Sequence, residues 1–452
     1  MMLRNFVWLL VGSVLLASCS DDEKILKGER IEVRVPLSKT VDRVSDNDAE
    51  DVLQANLLQR PNLSFPIQLP NMRNNLNWPQ LNGNAAHRVS HPALSANPQR
   101  LWSVNIGAGN SAKQRITASP VIDSGLLFTM DSQTRVTAHT LNGEFVWSAS
   151  LVPAFENSED ASGGGLAVAK GVLYVTTGFG ELHALRAASG QQLWAQDFAA
   201  PASFPPAISD GLVFVVTQDG RAWAVESSTG RLRRSWQSVG ATTSMATGST
   251  PAIQGTTAII PYPSGEVQAV DSNSGKIHWT ATVGGARATD ARSTLRSITS
   301  APVIADDVVF VGNQAGRMVA LDLATGRVLW TADEGSYSPV WLVSNSVFVV
   351  SDAGELVRLN SETGRSIWRI QLPAYKSTSL RRRKSVYANH GPLLAGGKII
   401  VASGDRRIRF FEPVSGRLVA VIETEHGAAA PPIVVNATLF IVDDAGNLTA
   451  YR

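Results

Sequence analysis

The sequence holds one cysteine in 452 residues, which leaves no intrachain disulfide and no cysteine-cluster metal site. Neither sign of charge prevails. Forty Lys and Arg stand against 38 Asp and Glu, a formal +2, which argues against a chain built mainly to bind nucleic acid. A mean hydropathy of +0.01 argues against a polytopic membrane protein. The seven histidines, at 87, 91, 139, 183, 278, 390 and 426, are scattered and show no His-Glu-x-x-His spacing. No Gly-x-Ser-x-Gly elbow or Walker loop is present, and Gly163-Gly164-Gly165, with no Lys-Ser/Thr after it, reads as a permissive turn. What the chain does have is 37 Gly, 22 Pro and 11 Trp, the punctuation and large aromatics of many short strands joined by tight turns.

The first residues read as an export signal. Arg4 supplies a positive start, and Phe6 to Ala17 is an apolar stretch too short to cross a hydrocarbon core of about 30 Å as a helix. The stretch ends in Leu16-Ala17-Ser18-Cys19, which resembles the lipobox of bacterial lipoproteins; the resemblance implies removal of residues 1–18 and lipidation of Cys19, the single cysteine. Several acyl chains, at about 0.8 kcal/mol per buried methylene, hold a protein on a membrane where one chain does not. Ser20 after the cysteine, rather than Asp, implies by the same resemblance sorting to the outer membrane, on the periplasmic side. Residues 19–97 are expected to form a lipidated tether and lead-in segment, with a short alternating strand at Ile31, Val33 and Val35 and breaks at Pro61, Pro66 and Pro70. A partner-binding arm is the other reading of this stretch.

A repeat fills residues 98–452. Tryptophans at 102, 147, 194, 236, 279, 330 and 368, with Ala420 in the next place, recur every ~45 residues, the period of four-stranded propeller blades. Each unit runs from a Pro through two alternating strands with a Gly turn between them to a Ser/Thr/Asn-Gly turn and Trp. The turn glycine stands four residues before Trp at Gly190, Gly275, Gly326 and Gly364. A second glycine stands fourteen before it at Gly180, Gly265, Gly316 and Gly354, with Gln133 and Arg406 in that slot elsewhere; Gly220 lies sixteen before Trp236, as if Arg233-Arg234 lengthened the last turn. The seven tryptophans are expected to dock blade on blade, since an indole buries about 150–250 Å². Trp223 and Trp341 lie out of register and read as packing residues, with the lining of a pocket as the other reading.

The last unit stops short of its Trp slot, and Leu101-Trp102-Ser103-Val104 has no hairpin of its own. The spacing therefore predicts an all-β, eight-bladed propeller of four-stranded antiparallel blades, closed by pairing of N- and C-terminal strands.

Trp78-Pro79-Gln80-Leu81-Asn82-Gly83-Asn84 looks like the Trp-Pro-x-x-x-Gly-Asn lead-in of quinoprotein-like propellers, and the Trp repeat resembles that of quinoprotein dehydrogenases. Lipobox, tether and an eight-bladed domain together resemble the BamB family, lipoproteins of the machinery that assembles outer-membrane β-barrels. The resemblance implies a scaffold without a reaction or cofactor of its own, bound to the periplasmic domains of BamA and to the inner leaflet of the outer membrane. Unfolded outer-membrane proteins are a further implied partner; nucleic acid is not. The family's contact loops map onto 243–251, where Met245 fits an apolar position, and onto 290–302, where Asp290, Arg292, Leu295 and Arg296 stand near the partner-facing places and Ser297 and Thr299 replace the acidic residues of relatives.

The alternative is a periplasmic quinone-dependent dehydrogenase. It requires a bound quinone, a carboxylate base, Ca²⁺ on several oxygen ligands and often adjacent cysteines, and no cysteine pair exists here. One charge run, Arg381-Arg382-Arg383-Lys384, is expected on an exposed inter-blade loop, as a solubilising stretch or as a contact for anionic headgroups or an acidic partner.

Overall fold

A computed structural model describes residues 62–238, 249–285, 297–376 and 385–452. In them the short, turn-bounded apolar runs become strands of eight separate four-stranded antiparallel sheets, the blades of a propeller. The inner three strands of each blade read as nearly continuous apolar runs because adjacent blades cover both of their faces: Ser346–Val350 is buried throughout, and Leu126–Met130 at all but its first residue. Outer strands such as Phe145–Ser150 alternate, because only one face meets a neighbour. The eighth blade takes its inner three strands from Ile433–Val435, Thr438–Val442 and Asn447–Tyr451 and its outer strand from Arg100–Asn105, so both chain ends share one sheet and the ring has no lateral edge.

The indoles hold the blades together by hydrogen bonds as well as by area. Five outer-strand indoles reach the last turn of the next blade and donate Nε1–H to a carbonyl there: Trp147 to Ala187 at 2.8 Å, Trp194 to Ser227 at 3.1 Å, Trp279 to Leu323 at 2.8 Å, Trp330 to Ser361 at 2.7 Å and Trp368 to Pro413 at 3.2 Å. The glycine of that receiving turn has two duties. Its φ is positive, 73° at Gly190 and 68° at Gly364, and a Cβ would meet the face of the preceding blade's indole at 2.5 Å in both places. A ring face cannot yield as a flexible side chain would, so indole and glycine require each other across every such seam.

Three details differ from the sequence reading. The fourteen-residue slot of the first blade holds Thr134, at φ 64°, and not Gln133. The first blade's last turn is one residue shorter than its counterparts, closing from Thr140 to Glu144 where the second blade closes from Arg186 to Gln191. In the third blade the last turn is not lengthened: it closes from Glu226 to Arg231 as in the second, and Arg233-Arg234 lie inside the strand Leu232–Gln237. Arg234, not Trp236, sits opposite Ala224, the place taken by Trp194 opposite Ala184 one blade earlier. The guanidinium covers Gly275, donates to the Asn273 carbonyl at 2.8 Å, and shifts Trp236 two residues along, where its Nε1 still reaches the Gly275 carbonyl at 2.9 Å. Finally, Gly164 and Gly165 belong to the inner strand Gly164–Ala169, where a Cβ on Gly165 would strike Pro205 at 2.4 Å; close approach, not a free turn, calls for glycine there.

Residues 62–99 lie on the ring as a strap. Trp78 exchanges backbone bonds with Ile122 in the first blade, Pro79 accepts from Val168 in the second, and the Gln80 amide bonds both backbone groups of Ile208 in the third. Ala85 and Ala86 accept from Ile253 and Ile304 in the fourth and fifth, Pro92 from Gly396 in the seventh, and Asn75 from Asn436 in the eighth. These contacts fall on the ends of the inner strands that face their first hairpin turns, so the strap crosses one mouth of the central channel. Its start is fixed to the sixth blade by Arg358, whose fully buried guanidinium donates to the carbonyls of Phe65 and Val414, at 2.8 and 3.1 Å, and to Ser346 Oγ at 2.9 Å. Burial pulls that guanidinium down to about 10.

Candidate partner-binding face and central funnel

Because the strap covers one mouth, the channel is a blind funnel of about 780 Å³ opening at the other, with Leu81 of the strap's single helical turn, Leu81–Gly83, among its lining residues. The rest of the wall comes from the connections between blades and from the middle hairpin turns. Small residues and prolines at the starts of the inner strands keep the waist open, and hydroxyls there sew one blade to the next. Thr117 Oγ1 donates to the Gly164 carbonyl at 3.1 Å, Thr250 Oγ1 to Pro205 at 2.9 Å, and Thr299 Oγ1 to Ser336 at 2.6 Å.

Among the described lining residues charge is balanced, with Arg115 and Lys376 against Asp352 and Asp444. His390 lies in its wall; desolvation pushes its imidazole down to about 4 against a bond to the Ala428 backbone, so it is neutral at physiological pH. His87 of the strap is held the same way at about 4, its Nδ1 at 2.7 Å from the Pro302 carbonyl and its Nε2 buried without a partner. Among the described residues no three His, Cys, Asp or Glu side chains come together to hold a metal ion. One oxygen of Asp352 is already engaged by the Gly335 N–H at 2.9 Å. This donor set does not fit the Ca²⁺-quinone pair of the quinoprotein dehydrogenases.

The profile of the outer membrane protein assembly factor BamB family matches residues 132–370, more than half of the chain. The chain belongs to the BamB family. The outer membrane protein assembly factor BamB of Moranella endobia is 26% identical over 254 residues, covering 55% of this chain and 65% of the relative, so the match spans less than two thirds of that protein's length. In three dimensions the crystal structure of BamB from Moraxella catarrhalis superposes with a TM-score of 0.65 at 20% identity, over 79% of this chain and 100% of that one. The quinohemoprotein alcohol dehydrogenase of Comamonas testosteroni superposes with a TM-score of 0.64 at 15% identity, over 83% of this chain and 80% of that one. Both likenesses are of fold.

The residues expected from the BamB resemblance to touch a partner, Met245, Asp290, Arg292, Leu295 and Arg296, lie outside the described residues, as do Cys19 and Arg381 to Lys384. The described ends of the two connections do reach the funnel, where Thr250 and Thr299 line the wall at its waist. Ser297 and Thr299, which the resemblance sets in partner-facing places, are buried, so neither presents itself outward. Trp341 is buried at 2% exposure, and Trp223 packs on Phe198 at 5.5 Å; neither lines the funnel. Sequence reasoning missed the strap contacts of Gln80, His87 and His91 and the tyrosines of the funnel wall. The Trp78 to Asn84 motif pointed to the strap's position; no periodic signal marks the tyrosines, because they sit in connections outside the repeat.

Proposed function

We propose that this chain is a scaffold of the β-barrel assembly machinery, without a reaction of its own, that assists folding and insertion of outer-membrane β-barrel proteins. The observation that carries this reading is the BamB family match across residues 132–370. In this reading the mature chain begins at lipidated Cys19 and is held on the periplasmic face of the outer membrane. The connections before the fourth and fifth blades, through Met245, Asp290, Arg292, Leu295 and Arg296, bind the periplasmic domains of BamA. The closed ring supports the role physically, since it exposes no lateral sheet edge and offers a rigid platform for its loops. The dehydrogenase alternative is the weaker one, because among the described residues no His, Cys, Asp and Glu side chains gather into the ligand set it needs.

Affinity capture of the full chain from detergent-solubilised membranes is expected to recover BamA, and charge reversal at Arg292 and Arg296 together to weaken recovery. Absence of every component of the barrel machinery would sink the assignment while leaving the propeller intact. Cys19→Ser is expected to move the protein from the membrane to the soluble fraction.

A further inference from the structure

We propose that the blind funnel is a binding site for an extended polypeptide segment carrying aromatic side chains. The argument starts from where tyrosine is placed. The chain has six tyrosines; Tyr174, Tyr262 and Tyr451 are buried in blades, and the other three, Tyr337, Tyr375 and Tyr387, all line the funnel at the sixth and seventh blades. Tyr337 and Tyr375 are 45% and 46% exposed, and the Lys376 ammonium lies 5.8 Å above the Tyr387 ring. Tyrosine supplies large amphipathic contact area at little conformational cost, which is why it recurs on surfaces that bind peptides and proteins.

The remaining features narrow the ligand. Among the described lining residues two cations face two carboxylates, so these residues give no single sign of field to select a phosphate, a nucleic acid or an anionic headgroup. Gly164, Ala301, Ala353 and Gly354 put little or no side chain on the wall, which leaves room for the backbone of an extended ligand to lie against it. The floor is Leu81, an aliphatic side chain and not an aromatic plane on which a flat cofactor would stack. A mouth open on one side and closed by the strap on the other admits a segment that ends or turns back and excludes one that threads through. The volume, about 780 Å³, lies in the range that encloses a ligand of small-molecule size. This site does not depend on how the chain docks to the barrel machinery.

The test uses the full chain in detergent and a fluorescein-labelled ten-residue peptide in which Tyr and Phe alternate with Ser, read by anisotropy. The expected result is saturable binding that is lost when every aromatic of the peptide is replaced by Ala. Binding is also expected to weaken by about tenfold or more in the double variant Tyr337→Ser, Tyr375→Ser. Ala388→Trp, which places an indole in the funnel from an exposed position, is expected to block binding with the circular dichroism spectrum unchanged, and it decides the matter if the double variant fails to fold. Binding unaffected by Ala388→Trp, no binding of the aromatic peptide, or competition by free pyrroloquinoline quinone or an N-acetylglucosamine oligomer in its place each overturns the proposal. Recovery of BamA by the same variants stays at the wild-type level, which separates this site from the docking reading.

Discussion

Six seams of the ring and the two that differ from them obey one rule. From the eighth blade onto the first, and at five other seams, an indole lies on a positive-φ glycine of the next blade; between the third and fourth blades a guanidinium takes that place and the indole steps aside. At the seam from the seventh to the eighth blade there is Ala420 and no indole. The reason is visible across the gap: the eighth blade has no last turn, because that corner is where the strand ending at Tyr451 meets the one starting at Arg100. A tryptophan there would have no glycine to land on. In its stead the seam is fastened by the strap, which bonds Gly396 and Gly397 on one side and Asn436 on the other, and by the Arg100 to Glu425 ion pair at 2.7 Å. That pair is exposed and contributes little.

The largest effect is expected where the rule is kept most completely. Trp368→Ala removes an indole that is 1% exposed and its bond to Pro413, and is expected to cost about 3–5 kcal/mol in denaturant-induced unfolding; a loss under about 1 kcal/mol would show that the indoles decorate the seams without fastening them. Next comes acid, which attacks the strap. His87 has its folded pKa lowered to about 4 from 6.5, so the unfolded chain binds the extra proton between those values and stability falls as pH drops through that window. The ceiling for this one group is about 3 kcal/mol. The strap is expected to become sensitive to limited proteolysis at pH 4.5 before the blades do, and His87→Gln to flatten the dependence; His390 titrates in the same direction and accounts for what remains.

Gly364→Ala forces a Cβ against the Trp330 ring from a left-handed backbone, and about 1–3 kcal/mol is expected by thermal unfolding, with the indole fluorescence shifted. The smallest change is the most telling. Ala420→Trp restores the repeat in sequence and is expected to alter stability by less than about 1 kcal/mol, since no receiving turn exists; a gain approaching that of the regular seams would refute the reciprocal rule.

Blade number, closure and seam positions were legible because all three are written as spacing: a 45-residue period, a Trp slot left empty at 420, and a spare strand at 101–104. The finer register was not. Gln133 occupies the counted position, yet Thr134 takes the left-handed conformation, because a turn one residue shorter moves every later count without leaving a mark in composition. Arg234 shows the same limit, since an arginine stem can cover a glycine as an indole does, and counting from the tryptophan then misplaces the turn. The candidate funnel was the least readable, since the residues that form its wall are far apart in sequence and belong to connections that the repeat does not constrain.

Local physics in the chain itself thus set the strands, the eightfold count and the pairing of indole with glycine, because each depends on neighbours within one or two repeats. Only the assembled ring decided which channel mouth is sealed, that Arg358 grips a carbonyl nearly three hundred residues away, and that three tyrosines face one cavity. Those contacts exist only once closure has brought distant parts of the chain to a common centre.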